Sequence, residues 1–140
     1  MVYVDTSVLV AYYCPEELSQ QAQAVLLSQA KPALSVLTEV ELTSAVARKV
    51  RMNELDSAAG QRVLAKFGSH VAAGLFEVMA VENHHWQLAK SWIGLFATPL
   101  RTLDALHLAM AADAALELVT SDKSFFQSAE MLGVAARLLE

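Results

Sequence analysis

Four acidic residues lie close to the ends of short apolar segments. Asp5 ends the first such segment, and Asp122 follows a later one. Glu41 lies one turn into the helix predicted after the second strand, and Asp104 lies in the first turn of the helix predicted before the fourth strand. Several carboxylates around one pocket repel each other, so some would take up protons unless a cation neutralised them. All-oxygen ligation favours Mg²⁺ or Mn²⁺ over zinc or copper.

A divalent cation held by such acids could catalyse the hydrolysis of phosphodiester bonds. Mg²⁺ keeps some of its waters while it binds a few carboxylates and the phosphate oxygens of a substrate. The ion lowers the pKa of a bound water and offsets charge at the phosphorus, and two ions about 3.5–4 Å apart would stabilise both ends of the displacement. The residue types therefore predict metal-dependent hydrolysis of a phosphate diester.

Each of the four acids also has a purely structural interpretation. An aspartate between a strand and a helix is a common cap, which would account for Asp5 and Asp122. The spacing Thr38-x-x-Glu41 is that of a capping box, which would explain Glu41 without any metal. Asp104 near a helix N-terminus gains from the helix dipole. The metal hypothesis therefore depends on all four acids reaching the same edge of the fold.

Short apolar runs alternate with longer helical patterns along the chain. This alternation predicts a three-layer α/β/α fold with a central parallel sheet of four to five strands. The predicted strands are Val2–Val4, Ala33–Val36, Leu75–Val81, Leu116–Thr120 and Val134–Leu139. Ligands of such sheets bind beyond the carboxyl ends of the strands, where the strand order switches direction. Asp5 and Asp122, which each follow a strand, are therefore expected at that edge.

Helical patterns fill the connections between the predicted strands. Thr6 and Ser7 are predicted to cap a helix through Tyr12, Thr102 is predicted to cap another, and a short helix is expected between Asp122 and Gly133. The remaining predicted helices are Glu16–Ala30, Thr38–Met52, Asp56–Ser69 and Asn83–Phe96. No linker or internal repeat divides the sequence, so residues 1–140 are expected to form one domain.

The composition limits the class of protein. Apolar residues make up 55% of the chain, but no apolar stretch reaches the ~18 residues that a membrane span requires. The N-terminus lacks the features of a signal peptide, so a cytoplasmic location is expected. Cys14 is the only cysteine, which excludes an internal disulfide and a thiolate zinc cluster built from this chain alone.

The formal net charge of −5 argues at first against a nucleic-acid partner, because proteins that bind phosphate are usually basic. If the four acids share a metal site, however, the rest of the chain carries only −1. The ion would then supply positive charge where the phosphate binds. The net charge is therefore a weak objection.

Four segments resemble, in order and spacing, the motifs of PIN-domain proteins, most of all the VapC-type toxins of bacterial and archaeal type II toxin–antitoxin systems. These segments are Val4–Val10, Leu34–Leu42, Leu103–Ala109 and Leu118–Phe125. The resemblance implies that Asp5, Glu41, Asp104 and Asp122 are the metal-binding and catalytic acids, supported by Thr6 and Thr120. It also implies Mg²⁺- or Mn²⁺-dependent cleavage of RNA, a homodimer, and a cognate antitoxin whose tail lies across the groove.

Few cations are available to bind the phosphates of RNA. The plausible ones are Arg48, Lys49, Arg51, Arg101 and Lys123. Arg101 and Lys123 are each close in sequence to a site acid, so they are predicted as the substrate contacts, with plain surface charge as the alternative.

Two groups of histidines also call for an interpretation. His107 lies three residues after Asp104 and so shares its helix face; a structural role is favoured over contact with substrate or water. His84 and His85 are adjacent on a predicted helix and should diverge, so the pair is predicted to lie at the surface.

The leading hypothesis is a toxin-type endoribonuclease. The alternatives are a catalytically silent PIN-like binding module and a housekeeping nuclease that processes RNA. A phospho-acceptor receiver domain would also place acids at strand ends, but the acids after strands two and four do not follow the layout of a receiver.

Overall fold

The computed structural model describes all of residues 1–140, and its centre is a parallel sheet of five strands. The strands are β1 (Val2–Val4), β2 (Ala33–Ser35), β3 (Glu77–Met79), β4 (Glu117–Thr120) and β5 (Ala136–Leu138). They lie in the order β3-β2-β1-β4-β5, and every neighbouring pair is parallel. The predicted three-layer fold is thus confirmed. No helix has the length and apolar character that crossing a membrane requires.

Seven helices connect the strands and cover both faces of the sheet. They are α1 (Thr6–Tyr13), α2 (Ser19–Leu27), α3 (Val36–Arg51), α4 (Ser57–Ala72), α5 (Asn83–Ile93), α6 (Thr102–Asp113) and α7 (Lys123–Met131). In β1, Val2 and Val4 join one apolar core with α1 to α4, and Tyr3 joins a second core with α5 to α7. A strand buried on both faces carries a continuous apolar run instead of an alternation.

The start of α3 corrects one prediction. Ser35, and not Thr38, occupies the N-cap: its hydroxyl accepts a hydrogen bond from the Leu37 amide at 3.2 Å, and Thr38 Oγ1 accepts one from the Ser35 amide at 3.2 Å. The predicted capping box of Thr38 and Glu41 is therefore wrong. Serine is a strong N-cap residue, and the N-cap therefore lies three residues earlier than predicted. Glu41 consequently lies in the second turn of α3, free of any capping role.

Other caps differ by a residue from the prediction. Thr6 and Thr102 are the first residues of their helices, and the N-cap positions belong to Asp5 and Arg101, neither of which makes a side-chain capping bond. Asp56 does cap α4, as predicted, because its carboxylate accepts a hydrogen bond from the Ala59 amide at 2.7 Å.

Several elements are shorter than their sequence patterns. The strand predicted at Leu75–Val81 reduces to β3, which lies at the edge of the sheet and pairs only with β2. The helix predicted at Glu16–Ala30 reduces to α2. The helix predicted at Asn83–Phe96 ends at Ile93, and Phe96 then adopts a left-handed conformation with φ of 55°. The apolar pattern in the sequence thus extends beyond the residues whose backbone hydrogen bonds form the strand or helix.

Candidate active site

The strand order creates a crevice at the centre of the sheet. The chain runs outward from β1 through β2 to β3 and then returns to β4 on the other side of β1. Ligands of open parallel sheets bind at such a switch point, outside the carboxyl ends of the two strands. A groove of about 740 Å³ opens beside this point.

All four predicted acids line this groove. Asp5 follows β1, Asp122 follows β4, Glu41 lies in α3, and Asp104 lies in the first turn of α6. Asp5 is buried, with 6% of its surface exposed, whereas Asp122 is exposed. Residues far apart in sequence therefore present their carboxylates to one space.

The protein binds one oxygen of most of these carboxylates and leaves the other free. Asp5 Oδ2 accepts hydrogen bonds from Ser7 Oγ at 2.7 Å and from Thr120 Oγ1 at 2.8 Å. Asp122 Oδ1 accepts one from the Phe125 amide at 3.1 Å, so this residue caps α7 as well. Asp5 Oδ1 and Asp122 Oδ2 accept no hydrogen bond from the protein.

Glu41 is held in the same manner. Thr6 Oγ1 donates to Glu41 Oε1 at 2.9 Å, and His107 Nε2 donates to the same oxygen, which leaves Oε2 free. His107 is fully buried, and its Nδ1 lies 2.6 Å from the Tyr3 hydroxyl. This histidine is structural, as predicted, but it acts on the site by fixing Glu41. The spacing from Asp104 indicated its helix face, but no sequence pattern indicated that Glu41 was its partner.

Ser7 is a site residue that the sequence had suggested only as a helix cap. Its hydroxyl donates to Asp5, accepts a hydrogen bond from the Ser121 amide at 3.0 Å, and lies 3.3 Å from Thr120 Oγ1. Thr120 Oγ1 in turn accepts from the Asp122 amide at 3.0 Å. These bonds connect the segment after β1 to the segment after β4. The position of Ser7, two residues after Asp5, was the only signal in the sequence.

The charges at the site perturb one another. Burial, together with the negative charges of Asp5 and Asp122, raises the pKa of Asp104 to about 6. Burial alone would raise the pKa of Glu41, but the hydrogen bonds from His107 and Thr6 outweigh it and lower that pKa. Burial would lower the pKa of His107, but the hydrogen bond and charge of Glu41 outweigh it and raise that pKa.

A hard divalent cation fits this set of groups. The free oxygens belong to all four acids, and neither oxygen of Asp104 accepts a hydrogen bond from the protein. Five carboxylates and three cationic side chains line the groove, which gives a formal excess of two negative charges. Such oxygen ligands suit Mg²⁺ or Mn²⁺.

Comparison with known proteins decides the family. The model of the PIN domain family matches residues 2–130 of the chain. The chain belongs to the PIN domain family. A search of curated proteins found no match.

Solved structures share the fold of this PIN domain. VapC20 of Mycobacterium tuberculosis, described as a sarcin-ricin loop cleaving toxin, superposes with a TM-score of 0.76 at 15% identity, covering 96% of this chain and 97% of its own. VapBC2 of Rickettsia felis, bound to a DNA fragment from its promoter, superposes with a TM-score of 0.72 at 14% identity and full coverage of both chains. A toxin–antitoxin complex of Klebsiella pneumoniae superposes with a TM-score of 0.64 at 20% identity, covering 89% of this chain and 90% of its own.

The five cations that the sequence offers for phosphate lie on different surfaces of the PIN domain, and Arg101 and Lys123 are the two predicted as substrate contacts. Arg48, Lys49 and Arg51 line the groove itself. Arg101 lines a smaller neighbouring cleft of about 200 Å³, to which Asp104 and Asp122 also belong. Lys123 lines neither of the two. The cations that line the groove are thus those of α3, and not the two that are close in sequence to a site acid.

A second cluster, away from the groove, joins His84, His85 and Asp113, whose nearest ligand atoms all lie within 4.8 Å of one another. His84 and His85 both contact Asp113 Oδ2, at 2.8 and 3.0 Å, and His85 is only 2% exposed. The prediction that both histidines lie at the surface is therefore wrong for His85, because α6 packs over that side of α5.

The hydrogen bonds of His85 favour a structural connection over a metal site. Its Nδ1 accepts a hydrogen bond from the Glu82 amide at 2.9 Å, so in the neutral ring the proton is on Nε2 and points to Asp113. A metal bound to Nε2 would move that proton to Nδ1, where it would face the N–H of Glu82, which is itself a donor. The cluster thus holds the start of α5 against the end of α6.

Proposed function

We propose that this PIN domain is a Mg²⁺- or Mn²⁺-dependent endoribonuclease, the VapC-type toxin of a type II toxin–antitoxin pair. The observation that carries the proposal is the convergence of four carboxylates on one groove, each with at least one oxygen free of protein hydrogen bonds. Membership of the PIN domain family supports it. So does the likeness in fold to a toxin described as cleaving the sarcin-ricin loop.

Each residue has a distinct part in the proposed reaction. Asp5, Glu41, Asp104 and Asp122 would hold the ion, which when bound supplies an activated water and offsets charge at the phosphate. Ser7 and Thr120 orient Asp5, while Thr6 and His107 orient Glu41. Because these hydrogen bonds already orient Asp5 and Glu41, the acids could hold the ion without rearrangement of the site.

Cleavage of RNA by the purified protein tests the proposal. With Mn²⁺, the wild type should cleave single-stranded RNA, and Asp5→Asn should lose at least about 100-fold in rate, because one metal ligand is replaced at almost constant shape. Glu39→Gln is the matched control: Glu39 is an exposed acid on α3 that does not line the groove, so its rate should not change. Equal rates for wild type and Asp5→Asn, or cleavage that survives EDTA, would exclude this mechanism. A wild type that neither binds Mn²⁺ nor cleaves RNA would favour the catalytically silent binding module.

We further propose that residues 1–140 act as one domain in the cytoplasm, with an antitoxin and a second copy of the chain as protein partners. The toxin–antitoxin complex of similar fold supports the first partner. Val36 and Val40, which lie four residues apart on α3 with exposed side chains, offer apolar surface for protein contact. Light scattering after size-exclusion chromatography should give the mass of a dimer; a monomeric mass at micromolar concentration would contradict the homodimer.

A further inference from the structure

The face of α3 that carries Glu41 continues along the groove to a cluster of cations. Glu41, Ala45, Arg48 and Met52 all line the groove and follow the helical spacing of four, three and four residues. Arg48 lies seven residues beyond Glu41, which corresponds to about 10 Å along the helix axis. Arg51, one turn beyond Arg48, also lines the groove. The α3 wall of the groove thus carries cations beyond the site acid Glu41.

The three cations of this wall are not equivalent. Lys49 Nζ lies 3.6 Å from Glu54 Oε2, and only 23% of the lysine side chain is exposed. Arg48 and Arg51 are exposed, and neither guanidinium group has a carboxylate within 4.0 Å. The charge of Lys49 is already offset by Glu54, whereas the two arginines keep their charge available to a ligand. Basic residues also favour a helix C-terminus through the dipole, but that role would not depend on RNA.

We propose that Arg48 and Arg51, and not Lys49, bind backbone phosphates of the RNA next to the scissile phosphate, so that the strand runs along α3. The inference rests on the proposed nuclease function and assigns the positioning residues of that site. A guanidinium group binds phosphate through two parallel hydrogen bonds. In a groove with an excess of negative charge, the flanking phosphates need such a contact to approach. Neither arginine touches the acids, so both act on RNA binding and not on the chemical step.

Two measurements test the assignment, with variants that remove the positive charge and keep a polar side chain. In cleavage assays with Mn²⁺, the double variant Arg48→Gln/Arg51→Gln should raise KM about tenfold and leave kcat within about twofold. In fluorescence anisotropy with a labelled single-stranded RNA in EDTA, the slope of log K against log salt should become shallower by about 0.7 for each lost phosphate contact. Circular dichroism establishes that the variant is folded.

Lys49→Gln and Arg62→Gln are the matched controls. Each removes one positive charge, the first from the groove wall and the second from α4, outside the groove. Both should keep the wild-type KM and salt slope. A double arginine variant that also keeps them would overturn the inference, and so would a Lys49→Gln variant with the larger effect. Failure of the wild type to cleave RNA removes the nuclease proposal itself, which separates the two failures.

Discussion

Asp104 differs from Asp5, Glu41 and Asp122 because neither of its carboxylate oxygens accepts a hydrogen bond from the protein. Burial and the charges of Asp5 and Asp122 therefore raise the pKa of Asp104 to about 6, and the opposing charge of His107 offsets them only in part. Ionisation of Asp104 thus costs folding free energy unless a cation is bound.

Replacement of Asp104 tests this cost through the pH dependence of stability. The pKa of Asp104 in the folded protein lies above the ordinary value of about 3.9. The contribution of its protonated carboxyl to the free energy of unfolding is therefore fully present below pH ~4 and is lost as the pH rises through 6. In EDTA, Asp104→Asn should equal the wild type near pH 4 and exceed it by about 1–3 kcal/mol at pH 7.5. Urea unfolding at both pH values measures this difference. A constant difference across the range would contradict the expected charge crowding.

His107 connects the buried core to the site, because it contacts both Tyr3 and Glu41. It is fully buried between Tyr3 and Glu41, and its ring donates to Glu41 in either protonation state. His107→Gln should weaken Mn²⁺ binding or slow cleavage about 10–100-fold, the usual effect of removing a group that orients a metal ligand. Tyr3→Phe is the milder control, because it removes the hydroxyl that contacts Nδ1 and keeps the bond from His107 to Glu41. If His107→Gln has the Mn²⁺ affinity and rate of the wild type, Glu41 does not depend on this bond.

At the scale of single elements, the contact between α5 and α6 depends on His85. The buried ring accepts from the Glu82 amide and donates to Asp113 at the end of α6. His85→Ala should lower the free energy of unfolding by about 1–3 kcal/mol because it removes a buried ring together with both of its hydrogen bonds. His84→Ala, which removes only an exposed contact, should cost less than about 0.5 kcal/mol. Zn²⁺ that stabilises the wild type but not His85→Ala would contradict the structural role.

Element types were predictable because each follows from local chemistry. Short, mainly apolar segments predicted four to five strands, of which all five are present, and Asp56 predicted the start of α4. The start of α3 was not predictable in the same way, because Ser35 and Thr38 are both good caps and only the end of β2 decides between them. The burial of His85 was likewise invisible, since it depends on which side of α5 faces α6.

At the scale of the whole molecule, the arrangement of the site follows from the order of the strands. The sequence predicted that Asp5 and Asp122 follow strands, but not that β1 and β4 are neighbours. Their pairing, which aligns Val4 with Val119, brings the segments after both strands together. The distribution of cations is also a property of the whole fold: Arg48 and Arg51 reach the groove only because α3 runs along it.

A calorimetric titration with Mn²⁺ at pH 7.5 tests most directly whether the four carboxylates form one metal site. The wild type and Glu39→Gln should both show saturable binding, and Asp5→Asn should lose at least about tenfold in affinity. If Asp5→Asn binds Mn²⁺ as tightly as the wild type, or if the wild type shows no saturable binding, the acids of the groove do not act as a metal site.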